Sequence, residues 1–63
     1  MPRPSNTAER REQIIEGLLN VIATDGYEGA STATIAKAAG LGSGLLHYHF
    51  KTKQAILLAL IER

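Results

Sequence analysis

In the first third of the chain the apolar positions Ile14, Ile15, Leu18, Leu19 and Ile22 recur at intervals of three and four. That period lays an apolar stripe along one face of an amphipathic helix. Arg10, Arg11, Glu12, Glu16 and Asn20 occupy much of the remaining surface. Asn6 followed by Glu9 has the spacing of a capping box, in which each side chain bonds an amide left open at the helix start. Asp25-Gly26 ends this helix, because glycine reaches the left-handed backbone that closes one. A second, shorter helix is expected after the N-cap residue Ser31, carrying Ile35, Ala36 and Ala39 to Gly40, with Leu41 and Gly42 forming the turn. A third covers about 43–50, with Leu46 and Phe50 four apart and facing inward. Lys51-Thr52 is a break, and Thr52 caps a fourth helix that starts at Lys53 and carries Ile56, Leu57, Leu60 and Ile61. No stretch alternates as a strand does, and there is no repeat or low-complexity tract. The expected class is all-α.

Residues 31–50 therefore read as capped helix, glycine-containing turn, helix. Ala36 and Ala39 are small enough to let two helices approach closely, and Leu41 plugs the space at the turn. Such a pair is the form of a helix-turn-helix, whose second helix enters the DNA major groove. Periodicity alone does not separate it from a helical hairpin that serves only packing.

At 63 residues the chain holds one domain. A chain this short buries only about 60% of its unfolded surface, so its stability is thin without a partner or neighbouring domain. With no cysteine, neither disulfides nor thiolate metal sites are available as staples. The beginning is polar and charged, without the apolar core of a signal peptide, and the longest apolar run, 55–61, is far short of the roughly 20 residues of a membrane span. The expectation is a soluble, cytoplasmic protein with no membrane partner. Net charge is +1, and its distribution is more informative than its sum. Residues 1–28 carry three arginines against five acids, whereas 29–61 carry Lys37, Lys51 and Lys53 and no acid. A cationic segment of that kind favours a polyanion.

A helical wheel at 100° per residue orients the third helix. With Leu46 and Phe50 inward, Tyr48 points almost directly away, Gly44 and Leu45 lie on the same outer side, and His47 and His49 flank it. Ser43, Gly44, Leu45 and Tyr48 are the expected groove-facing residues. Ser43 and Tyr48 can hydrogen-bond to bases or phosphates, Leu45 can pack on a thymine methyl, and Gly44 lets the backbone come close. Thr32 starts the second helix, where free amides and partial positive charge favour a phosphate. Lys53 starts the fourth, where a lysine is electrostatically unfavourable and no structural need for a cation is apparent from sequence. It is assigned to phosphate with Lys51, and Lys37 is a weaker candidate. Arg3, in the expected arm 1–6, is a candidate for a neighbouring groove.

Other chemistries fit poorly. The glycines at 40, 42 and 44 follow a helix, whereas phosphate-binding glycine loops follow a strand. His47 and His49 lie roughly 200° apart on a helix and do not chelate one metal. Nothing orients histidine, serine and acid as a triad. No catalytic residue, cofactor or metal is expected. The competing class is a helical protein-interaction module without a nucleic-acid role, which would need an exposed apolar groove or stripe.

Gly26-Tyr27, then residues 31–41 (Ser-Thr-Ala-Thr-Ile-Ala-Lys-Ala-Ala-Gly-Leu), then 44–50 (Gly-Leu-Leu-His-Tyr-His-Phe), then Lys51-Thr52-Lys53 closely resemble the N-terminal domain of the tetracycline-repressor (TetR) family. The resemblance spans about 10–60, in order and spacing. It implies a three-helix, homeodomain-like helix-turn-helix unit over 7–52, with 53–63 starting a helix that links to a larger ligand-binding and dimerising domain. The still-apolar fourth helix fits a chain that continues past Arg63. The resemblance further implies a bacterial regulator of transcription, a repressor in the commoner case. It would bind double-stranded operator DNA of palindromic sequence as a homodimer and be released by a small-molecule effector. Phosphate contacts are implied at His47, His49 and Lys53. Two positions depart from the family pattern. Gly42 stands where a serine usually caps the recognition helix, and His47 where a tyrosine commonly touches phosphate. Histidine donates more strongly when protonated, which would make binding pH-dependent.

Overall fold

A computed structural model describes residues 6–62, excluding the side chain of Asn6. Helix α1 spans Asn6–Gly29, α2 Thr32–Ala39, α3 Ser43–His49 and α4 Lys53–Glu62. The described residues contain no strand. The expected capping box at Asn6 rests on a side chain outside the described set, as does the candidate Arg3.

α1 breaks at Gly26, whose φ of 77° and ψ of 165° leave the helical region. The expected stop is there, but the chain takes up a further helical turn through Gly29 before it leaves. The apolar stripe of α1 supplies Ile14, Ile15, Leu18 and Val21, four of the eleven buried apolar residues among those described. Ile22, the expected end of the stripe, is only half-buried at its margin, and Val21 takes the inner place.

α2 starts on a reciprocal cap. The Thr34 amide donates to Ser31 Oγ (3.2 Å), and the Ser31 amide donates to Thr34 Oγ1 (2.8 Å). Two amides that a helix start leaves open are thereby satisfied. At its other end Gly40 is left-handed (φ 76°), its amide bonded to Lys37 O and that of Leu41 to Ala36 O. Both bonds of a Schellman closure are present, and half-buried Leu41 packs on the core as expected of the turn residue.

α1 lies across α2 at very close range. A Cβ placed on Gly17 would sit 2.8 Å from the Ile35 carbonyl and 3.1 Å from Ala39 Cβ. The small side chain of Ala39 therefore serves the approach of α1, where the sequence pointed to the contact between α2 and α3. Gln13 of α1 adds a polar tie: its Nε2 donates to Ala39 O at 2.9 Å, and its Oε1 accepts from Arg10 Nη1 at 3.0 Å.

α3 is seven residues long and has little of its own to hold it. Its N-cap, Gly42, offers no side-chain bond. What fixes it is burial of Leu46 (0% exposed) and of the C-cap residue Phe50 (4%). Arg11 stacks on the Phe50 ring from the α1 side, 4.8 Å from its centroid. Thr52 Oγ1 accepts from the Ala55 amide, capping α4 as expected, and α4 buries Ile56 in the same core.

Candidate nucleic-acid interface

With two of its apolar side chains committed inward, α3 presents the rest of its short surface to solvent. Tyr48 is 75% exposed and Leu45 38%. Ser43, Gly44 and His47 are exposed as well, and His49 is half-buried. The Tyr48 and His49 rings meet edge to face, 5.0 Å between centroids, which orients both at the helix end. Gly44 has no structural reason to be glycine: its φ is not positive, and an added Cβ would meet nothing within 4 Å. A glycine in a helix costs stability relative to alanine, so the fold alone does not account for it. Gly42 also has open space around it, but as the extended N-cap of α3 it stands where glycine is ordinary.

Lys51 lies exposed in the bend after α3. Thr32 is the first residue of α2 and half-buried. α2 carries no acid in its first turn, and its only charged residue, Lys37, is exposed.

Lys53 differs from expectation in one respect. Its Nζ donates to Tyr27 O at 2.7 Å and to Ala30 O at 3.0 Å, and it lies 4.1 Å from the centroid of the Tyr27 ring. The premise that nothing structural requires a cation there is corrected. The carbonyl-rich end of α1, whose last turn has no basic residue of its own, receives this one from α4.

Sequence reasoning did not find Gln13, Gly17 or the stacking of Arg11, because each acts on a residue more than 15 positions away. Among the described residues no cluster of histidine, cysteine or acid side chains could hold a metal ion. No helix there is long and apolar enough to cross a membrane. A hollow of about 480 Å³ lies between the start of α1 and the end of α4, lined by Thr7, Arg11, Ile15, Ala59 and Glu62 among others, and none of the expected site residues lines it.

A capped helix, a left-handed glycine turn and a short helix with an exposed outer face, braced by a longer helix behind, define a helix-turn-helix domain. The profile of the bacterial regulatory proteins of the tetR family matches residues 14–60. The chain belongs to that family. It is 44% identical over 57 residues to the HTH-type transcriptional regulator PksA of Bacillus subtilis (strain 168), covering 90% of this chain and 28% of that protein. It is 39% identical over 62 residues to the HTH-type transcriptional repressor AcnR of Corynebacterium diphtheriae, covering 95% and 33%. With the HTH-type transcriptional regulator BetI of Stenotrophomonas maltophilia the identity is 38%, covering the whole chain and 32% of the relative. The chain thus spans about a third of the length of these relatives. No solved structure matches it.

Proposed function

We propose that this domain binds double-stranded DNA through the outer face of α3 and serves as the DNA-reading part of a transcriptional regulator. The observation that carries this is the combination on α3 of inward Leu46 and Phe50 with outward Ser43, Gly44, Leu45 and Tyr48. Ser43, Leu45 and Tyr48 face base edges, and Gly44 admits the groove wall closely. Thr32, His47, His49 and Lys51 contact phosphate, Thr32 together with the amides of the α2 start. Protonation of His47 strengthens its contact. Lys53, half-buried at the start of α4 with two of its three N–H groups on the Tyr27 and Ala30 carbonyls, contacts phosphate with the third.

The larger chains of PksA, AcnR and BetI, one of them named a repressor, support a wider reading. The regulator works as a two-fold homodimer on a palindromic operator, represses, and lets go when a small-molecule effector binds a further helical domain. α4 supports this by leaving Leu58 (59%) and Ile61 (69%) exposed, an apolar edge suited to packing against more protein. That edge is on α4, whereas the outer face of α3 sets a single aliphatic side chain, Leu45, among Ser43, Gly44, His47 and Tyr48, which favours DNA over a protein partner there. The 63 residues by themselves bind as a monomer, mainly without sequence preference, with Kd of about 10⁻⁴ to 10⁻⁶ M.

Fluorescence anisotropy of a labelled duplex, titrated at several salt concentrations, tests this. Binding weakens with salt at a log–log slope of about −0.9 per phosphate neutralised. Tyr48→Ala reduces discrimination between duplex sequences without lowering the melting temperature. Binding that ignores salt, or no binding at millimolar protein, rejects the proposal.

A further inference from the structure

Ile35, Leu46 and Ile56 are matched positions. Each is the fourth residue of its helix, each is fully buried, and each donates the first bond of that helix, to Ser31 O, Gly42 O and Thr52 O in turn. The helix starts themselves differ. The hydroxyl of Ser31 accepts from the Thr34 amide and that of Thr52 from the Ala55 amide, so α2 and α4 each have an open amide satisfied by a side chain. Gly42 offers α3 no such bond. Of these three helices, the one with the outer face proposed to read DNA is left uncapped.

The rest of its first turn is held no better. Ser43, Gly44 and Leu45 are exposed, and Leu45 is not among the apolar side chains packed on the core. A Cβ on Gly42 or Gly44 would meet nothing within 4 Å, so no other element presses on the turn at either place. Two of the residues from 42 to 45 are glycine, which gives up more conformational freedom on folding than any other residue. The anchors of α3, Leu46 and Phe50, both lie beyond this turn. A helix of seven residues does not sustain itself in water, so each part of it depends on what it touches.

We infer that the first turn of α3, residues 43–45, opens and closes in the free domain while Leu46 and Phe50 stay anchored, and that DNA closes it. Gly42 thereby limits affinity, because part of the binding free energy goes into ordering the turn. This rests on the DNA-binding reading above and adds a conformational step at its base-facing residues.

Amide hydrogen exchange read by NMR, well below the melting temperature, tests this on the 63-residue chain, with and without a random duplex. Gly42→Ser and Gly42→Ala are compared with the parent, and anisotropy titrations give the affinity of all three. In the free parent the Leu46 amide is expected to be less protected than that of Ile35 by about tenfold or more. The duplex should slow exchange at Leu46 more than at Ile35. Serine at 42 supplies an acceptor where the backbone is already extended (φ −76°, ψ 154°). It is expected to raise Leu46 protection and affinity together, each by about twofold, whereas alanine, a poorer N-cap, lowers both by about threefold. Ile35 is expected to be unmoved in either variant. A Leu46 amide as protected as Ile35 in the free parent, or one whose exchange the duplex leaves unchanged, would overturn the inference. Affinities that change while Leu46 protection does not would show residue 42 meeting DNA itself, and overturn it equally. If the parent shows no salt-dependent binding, the DNA-binding reading has failed, and exchange in the free chain still reports whether the turn opens.

Discussion

Gly44→Ala is the perturbation for which stability and binding should move in opposite directions. In the free protein the added methyl meets no atom within 4 Å, and the backbone at 44 is one that alanine adopts without strain. Alanine in a helix is favoured over glycine by about 0.5–1 kcal/mol. For a domain of this size each kcal/mol moves Tm by about 4–8 °C, so the variant is expected to melt roughly 2–8 °C higher. Against DNA the same methyl occupies space the groove wall needs. Overpacking of a close contact costs about 1–3 kcal/mol, a loss of about 5- to 150-fold in affinity. Thermal circular dichroism and anisotropy titration on one preparation give both numbers. A variant that melts higher and binds equally well refutes the assignment of Gly44 to a close approach. One that melts lower refutes the reading that its fold does not need the glycine.

The same substitution at Gly17 should do the reverse. There a Cβ sits 2.8 Å from the Ile35 carbonyl, and the displacement of α1 from α2 outweighs the gain in helix propensity by about 1–2 kcal/mol, seen as a lowered Tm. Gln13→Ala leaves the Ala39 carbonyl without its side-chain donor and costs about 1 kcal/mol in urea unfolding; no change in midpoint would show that the bond contributes nothing. Tyr27→Phe removes a buried hydroxyl that has no hydrogen-bond partner while keeping the ring under Lys53. Its Tm is expected to be unchanged or raised by up to about 1 kcal/mol equivalent, and a clear fall would reveal a partner for that oxygen. Leu46→Ala, at a position with no exposure, costs about 2–5 kcal/mol and should abolish the cooperative melt of so small a domain.

The paired glycines also show where sequence reasoning stops. Helix ends were legible because their signals are local: Ser31 and Thr52 as caps, Gly26 and Gly40 with positive φ, all within one turn of what they act on. The inward edge of α3 was legible because Leu46 and Phe50 are the one apolar pair at helical spacing whose opposite face ends in Tyr48, and the exposures bear that out. Gly17 and Gly44 look alike in a sequence. One lies under another helix and the other faces open space, and only the packing of α1 on α2 separates them. The structural role of Lys53 was missed for the same reason. Its carbonyl partners are 26 and 23 residues away, brought to it by the extra turn after Gly26 that no local pattern announces. Val21 joins the core and Ile22 packs at its margin because the face of α1 serves α2, α3 and α4 together, wider than a single partner would need.

Amide NMR of the labelled 63-residue chain, followed during titration with a duplex, most directly tests the claim that the outer face of α3 meets DNA. The largest shifts should fall on Ser43, Gly44, Leu45 and Tyr48, with Thr32 next, and should diminish as salt is raised. Shifts that leave those amides still and gather on α4 around Leu58 and Ile61 would contradict it.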